Sequence, residues 1–422
     1  MIVLIVFFIL LLLGVPMAFV VLGAAITGIL IYTNTSMLIV VQQMFGGLDN
    51  FVMLAIPLFI IGGNIAAKGK TSVHLINVMN VIFGRIKGGS VIATIAACTF
   101  FSAISGSGLA TIVAIGTIMI PSLVKEGYPQ KMAMGSVCTT GSLGILLPPS
   151  TPMILFCVAM GTSVGKQFMA GFVPGIILAI CWMVYLYIVC RNKDYGNRVT
   201  YTIKEAALII FKAIPALIFP LIVLGSIYTG WATPTEAAAL SVVYVLLLEV
   251  FVYKTIKPQK MFSAFFEGII NSSTLVLIIA AASVMNWLLT VQQVPMMITE
   301  FLTVAVSSKV AFILLLWLVF LVVGLFVDLI ALIVVLAPIL LPSLSLYNID
   351  PIHFGIIAIM ASQIGCITPP FGVNLFVTMN VSGRPFAEVM QSTFPYLIIL
   401  FIVSMIVTFI PEIALWLPNL MK

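Results

Sequence analysis

The sequence predicts an all-α polytopic membrane protein made of two inverted-topology repeats, each with a re-entrant helical hairpin and a Pro-Pro-broken helix. Three observations carry that prediction. The chain is 63% hydrophobic and 7% charged, whereas a soluble domain is roughly a quarter charged. Apolar runs near or above the roughly 18-residue spanning threshold recur at about 16–32, 51–67, 168–190, 206–229, 235–253, 268–290 and 393–417. Finally, two stretches repeat each other: Pro121-Ser122-Leu123, Gly144 and Pro148-Pro149 match Pro342-Ser343-Leu344, Gly365 and Pro369-Pro370 at an offset of 221 (342 − 121, 365 − 144, 370 − 149).

The halves run over 1–200 and 201–422, with scaffold and arm segments at 1–89 and 206–290. Fainter matches extend the duplication: Gly14-Val15-Pro16 aligns with Ala232-Thr233-Pro234, and Leu58 to Gly63 with Leu277 to Ala282. The first apolar stretch lacks a basic leader region, which argues against a cleaved signal. Residues 71–87 read as a helix lying along the membrane interface, and 256–268 as its counterpart. Thr233-Pro234-Thr235-Glu236 reads as a capping box with proline at the first helical position, which makes Glu236 a cap rather than a proton carrier. Gly171 and Gly175 have the spacing of a helix-packing pair.

Basic residues set the expected orientation. Fifteen of the 18 Lys and Arg residues can be placed on one face, and only Lys166, Lys309 and Lys422 oppose them. The positive-inside rule makes the rich face cytoplasmic. The net charge of +6 then needs no nucleic-acid partner, because it lies in short loops beside anionic headgroups. This topology closes only if 90–120 and 310–341 enter and leave on one face as hairpins. The first has its tip at Ser102 to Gly108, the second near Gly324 to Asp328. Five crossings separate the copies, and an odd number inverts the second.

Broken helices follow at 131–160 and 353–378. In hydrocarbon, non-helical backbone survives only where it lines a protected cavity, and a matched pair of interrupted helices marks a secondary transporter's binding site. Carbonyl and hydroxyl oxygens suit a hard cation, while helix N-termini suit an anion. The expected cation ligands are Ser102, Ser105, Ser107, Gly144, Leu147 and Pro149 in the first half. In the second they are Gly324, Asp328, Gly365, Thr368 and Phe371. Ser107, Ser150, Thr151, Asp328 and Asn374 are expected to meet substrate. Asp328 stands out because an ionisable group at bilayer depth is costly unless solvated or paired.

Other function classes fit poorly. The six cysteines stand singly in apolar segments without CxxC spacing and read as small buried hydrophobes. An intramembrane protease needs a Ser–His pair or two aspartates, and the two histidines, His74 and His353, fall on loops assigned to opposite faces. No GxxxxGK[ST] loop is present for an ATP-driven pump. A sodium/anion symporter that works without partner proteins shares the broken-helix logic and is the alternative reading.

Over essentially its whole length the chain resembles the large membrane subunit of tripartite ATP-independent periplasmic (TRAP) transporters. Gly141-Ser142-Leu143-Gly144-Ile145-Leu146-Leu147-Pro148-Pro149-Ser150 and Gly365-Cys366-Ile367-Thr368-Pro369-Pro370-Phe371-Gly372 carry the likeness. It implies sodium-driven import of an organic anion across the bacterial inner membrane by an elevator motion. It also implies two partners, a small four-helix membrane subunit and a periplasmic substrate-binding protein; neither is encoded in these residues, which matches the unfused form. Sialic acid and C4-dicarboxylates are both substrates of that family, and the general likeness leans towards sialic acid.

Overall fold

The structure is a computed structural model that describes residues 1–193, 195–196, 201–255, 258–306 and 308–421, without the side chains of 258–260. Arg198, Lys257 and Lys422, three of the charges used for orientation, lie outside the described residues, as does the Lys260 side chain. Among the described residues there is no strand, and nine helical stretches are long and apolar enough to cross a membrane.

The first half opens with α1 (Ile2–Leu12), α2 (Met17–Tyr32), α3 (Leu38–Leu48), α4 (Ala55–Lys68) and α5 (Thr71–Phe83). A hairpin follows, α6 (Gly89–Ser105) and α7 (Gly108–Lys125), then a broken helix of three pieces, α8 (Gln130–Thr140), α9 (Leu143–Leu146) and α10 (Thr151–Met160), and then α11 (Val164–Cys190). The second half contains α12 (Ile203–Tyr228), α13 (Pro234–Leu247), α14 (Pro258–Val291) and α15 (Val294–Ala305). Its hairpin is α16 (Lys309–Gly324) and α17 (Leu329–Leu346), its broken helix α18 (Pro351–Cys366) and α19 (Val373–Ser382), and α20 (Phe386–Phe409) and α21 (Pro411–Leu415) close it.

Helix ends keep the sequence offset. α7 and α17 both start and end 221 residues apart (329 − 108, 346 − 125), and α8 and α18 start 221 apart (351 − 130). The turns have local causes. Gly106, at φ 60°, adopts the left-handed backbone that ends α6, a conformation costly for residues with a Cβ. The side chains of Ser107 and Asp328 then cap α7 and α17 by accepting from backbone N–H groups two or three residues on. Thr233 and Glu236 form the expected reciprocal capping box at the start of α13.

Three sequence expectations change. The arm foreseen at 256–268 is not a separate helix: residues from Pro258 onward are the first turns of α14, because proline at a helix start forfeits only an N–H that would be orphaned anyway. Residues 256 and 257 lie outside the described part. The short helix that precedes the second hairpin, in the place α5 holds before the first, is α15. Neither histidine is on a loop. His74 is in α5, stacked on Tyr253 with ring centroids 4.2 Å apart, and His353 is buried in α18 with Nε2 2.9 Å from the Val407 carbonyl oxygen.

Packing sorts the helices into two groups. α14 lies against α2, α3 and α4, α4 also against α13, and α13 against α12. In the other group the repeats cross over: α10 of the first half packs on α17 of the second, and α19 of the second on α7 of the first. The first hairpin tip and the first break are largely buried, whereas at the second tip and break Asp328, Pro370 and Phe371 are exposed. α5 bridges α6 and α12, and α15 bridges α14 and α17.

Candidate functional site

The first hairpin tip gathers hydroxyls. Ser102 and Ser105 are buried on the last turn of α6, and both reach the hydroxyl of Thr111 on α7, at 3.4 and 3.1 Å. Thr111 Oγ1 also donates to the Ser107 carbonyl at 2.9 Å, and Ser105 Oγ to the same oxygen at 3.2 Å. Ser107 Oγ accepts from the Ala110 N–H at 3.4 Å. Three neutral hydroxyls and the Ser107 carbonyl thus converge at the hairpin tip. Thr111 was not singled out from the sequence; its signal was a hydroxyl one turn into the helix that follows a Ser-Gly-Ser-Gly tip.

The break between α9 and α10 closes over this tip. Gly144 fits so tightly that a Cβ there would lie 2.7 Å from both Cα and N of Gly108. Gly106 is similarly close to the Pro149 carbonyl oxygen, 2.8 Å from where its Cβ would be. Thr151 sends both its N–H and its hydroxyl to the Gly106 carbonyl, each at 3.5 Å. Ser150 is buried, and its hydroxyl donates back to the Ile145 carbonyl. Among the described residues no donor reaches the carbonyls of Leu147 or Pro149. The Pro148-Pro149 and Pro369-Pro370 peptides are both cis. Gly171 and Gly175 of α11 pack against this break, on the Leu146 carbonyl and the Leu147 side chain.

The second site is built differently. A Cβ on Gly365 would lie 2.4 Å from the Gly324 carbonyl oxygen, so helix α18 touches the hairpin on the first-helix side of its tip. In the first half the contact is on the second-helix side. Asp328 is exposed at the start of α17, and its Oδ2 accepts the Ile330 N–H at 3.0 Å. The Thr368 hydroxyl donates to the Ile364 carbonyl at 2.6 Å, and the Thr368 carbonyl accepts from Gly372 N–H at 3.1 Å. Phe371 is 52% exposed.

Asn374 is buried on α19, yet its neighbourhood belongs to the other half: Nδ2 lies 2.9 Å from the position a Cβ would take on Gly141. That amide nitrogen has no hydrogen-bond partner among the described residues. The same holds for the hydroxyl of Ser142 and for both amide atoms of Gln363, each buried to 1% exposure. Ser142 and Gln363 occupy equivalent places in the duplication (363 − 142 = 221). An unsatisfied buried polar group costs about 1–3 kcal/mol, so these atoms mark where a polar ligand would be welcome. Sequence reading passed over both as site residues: Ser142 stands in the turn between α8 and α9 without a proline to mark it, and Gln363 lies inside α18.

This architecture, helical and multi-pass with two hairpins facing two interrupted helices, defines a membrane transporter. A solved structure of the YdaH transporter from Alcanivorax borkumensis has the same fold, with a TM-score of 0.65 at 14% identity over 97% of this chain and 99% of that one. Over residues 4–413 the sequence matches the family described as the tripartite ATP-independent periplasmic transporter, DctM component. It is 39% identical to the C4-dicarboxylate TRAP transporter large permease protein DctM of Pseudomonas aeruginosa, covering 94% of this chain and 93% of that protein. Identity to the sialic acid TRAP transporter large permease protein SiaM of Vibrio cholerae is 33%, over 96% and 95% of the two chains. The chain belongs to this family and is a large membrane subunit of a TRAP transporter. Both of these relatives are described as permeases.

Proposed function

We propose that the chain imports an organic anion across the bacterial inner membrane, driven by sodium and by an elevator motion of the hairpin-bearing group against the group around α4, α13 and α14. The observation that carries this reading is the convergence of Ser102, Ser105 and Thr111 hydroxyls with the Ser107 carbonyl beneath a broken helix. Neutral oxygens at these spacings offer a small hard cation ligands without demanding a full countercharge. Across the crossover, the Asp328 carboxylate and the carbonyls around Gly324, Gly365, Thr368 and Phe371 offer oxygens for a second ion. The unpartnered Ser142, Gln363 and Asn374 groups supply donors for carboxylate or hydroxyl oxygens of the substrate, with Ser150 and Thr151 beside them.

The substrate is a carboxylate-bearing solute delivered by a periplasmic binding protein, with a small membrane subunit completing the complex. The relative named for C4-dicarboxylates is the more similar of the two described above, so a C4-dicarboxylate is the first compound to test and sialic acid the second. The test is uptake into liposomes containing this chain, its genomically neighbouring small subunit and loaded binding protein. Uptake that needs an inward sodium gradient is expected; equal uptake with sodium replaced by potassium would end the sodium assignment.

A further inference from the structure

The two halves differ at one helix position that bears on how the groups slide. α17 contains Pro338 as well as Pro342; the equivalent of Pro342 in α7 is Pro121 (342 − 121 = 221), but Pro338 corresponds to Thr117 (338 − 117 = 221). A proline inside a helix removes the N–H that would bond the carbonyl four residues earlier, which here is Val334. In a membrane that carbonyl has to be satisfied from elsewhere. It is: Asn286 of α14 donates through Nδ2 to the Val334 carbonyl at 3.0 Å.

Everything else at this interface is apolar or small. Ile278, Ala281 and Met285 of α14 are buried, and Val327, Ile330 and Val335, from the hairpin tip and α17, pack against the clusters they belong to. Among the described residues, the Asn286 bond is the only side-chain hydrogen bond between α14 and α17, and none joins α4 to α6 or α7 on the other side. One polar stitch therefore crosses the α14–α17 surface directly, with no counterpart from α4 to α6 or α7; α15 is tied separately to α17 by the Thr299–Ser343 hydroxyl pair at 2.9 Å and by the Tyr347 hydroxyl, which donates to the Leu302 and Val306 carbonyls at 3.0 and 2.6 Å.

We infer that Asn286 is a latch, which holds the second hairpin in the position seen here by bonding the carbonyl that Pro338 frees, and which must open when the hairpin group moves. This rests on the elevator reading. Moving α17 by a few ångströms along α14 takes the freed carbonyl out of reach of Asn286 and leaves both groups to find other partners. An interhelical hydrogen bond in a membrane protein is worth, on average, about a threefold shift in an equilibrium.

The test uses the complete transporter in lipid, with the six native cysteines replaced and spin labels on Thr229→Cys and Ser345→Cys, one exposed site in each group. The parent should show two distances whose ratio responds to sodium and substrate. Asn286→Ala should reduce the share matching this structure about threefold, and Pro338→Ala, which returns an N–H to Val334, should shift it in the same direction. Adding Asn286→Ala to Pro338→Ala should then have no further effect, an outcome that simple loss of packing would not produce. An unchanged ratio in Asn286→Ala, or an undiminished shift in the Pro338→Ala background, overturns the latch and leaves the elevator standing. A single distance under every condition in the parent overturns the elevator, and the latch with it.

Discussion

Asp328 and Thr111 show how differently the two hairpins meet the same physical requirement. A carboxylate at bilayer depth is tolerable only with solvent or a partner, and the Asp328 carboxylate accepts the Ile330 N–H as it caps α17. Thr111 carries no charge, yet it ties Ser102, Ser105 and the Ser107 carbonyl together. If these oxygens hold the coupling ion, Thr111→Val should weaken sodium activation of uptake by about tenfold, the lower end of what losing a supporting partner costs a metal site. Thr111→Ser, which restores the hydroxyl, should recover most of it. Asp328→Asn and Ser107→Ala should reduce uptake and flatten its sodium dependence while the protein still reaches the membrane. Sodium-driven uptake at parental levels in all three loss-of-group variants would remove the ion from this region.

At the level of elements, the breaks work because backbone meets backbone. A Cβ at Gly144 would collide with Gly108, where no flexible side chain can yield, and overpacking of this kind costs about 1–3 kcal/mol. Gly144→Ala should therefore lower the unfolding midpoint in detergent. The control Gly46→Ala, where a Cβ would meet nothing within 4 Å, should hold or raise it, since alanine favours helix by about 1 kcal/mol. A second clasp sits where α4 passes into α5. The Glu249 carboxylate, fully buried, accepts from the N–H groups of Lys70 and Thr71 at 3.0 and 2.9 Å and from the Thr71 hydroxyl at 2.6 Å. Glu249→Ala leaves those donors unpaired, so hydrogen exchange over 70–75 should accelerate at least tenfold; parental protection there would mean α5 is held by packing alone. Hairpin tips and breaks were legible in the sequence because Gly-Ser runs and Pro-Pro pairs leave a mark that periodicity cannot hide. α3 and α15, of 11 and 12 residues, were not, because they fall below spanning length and owe their place to contacts with α14 and α17. Nor could the sequence place Asn374 beside Gly141, since that neighbourhood exists only once the halves cross.

For the whole molecule, the crossing of halves has a mechanical consequence. Because α10 packs on α17 and α19 on α7, each hairpin is coupled to the other's broken helix, and in the proposed elevator the two sites should travel as one body. If the copies are inverted, single cysteines at 125–130 should label from the cytoplasm and those at 343–350 from the periplasm; labelling of both from one side would end that topology. A sliding body also needs a fixed one. In the proposed elevator the fixed group within this chain would be α14 with α2, α3 and α4, together with α13 and the α12 that packs on it, and its outer surface is strongly apolar: Phe45 on α3 is 72% exposed and Phe211 on α12 is 72% exposed. Lipid can cover such a surface but cannot stop it from tilting with the load, whereas a bundle of helices bound to it can. The chain reconstituted alone should therefore show no uptake of free acid under an inward sodium gradient, and uptake should appear when the small subunit and loaded binding protein are added together. Few charges lie on the face assigned to the periplasm, among them Lys166, Glu300, Lys309 and Asp350, so docking of the binding protein should be weak and transient, with a small buried area. Robust uptake by the lone chain would instead make it a self-sufficient sodium/anion symporter, with the exposed apolar surface facing lipid only.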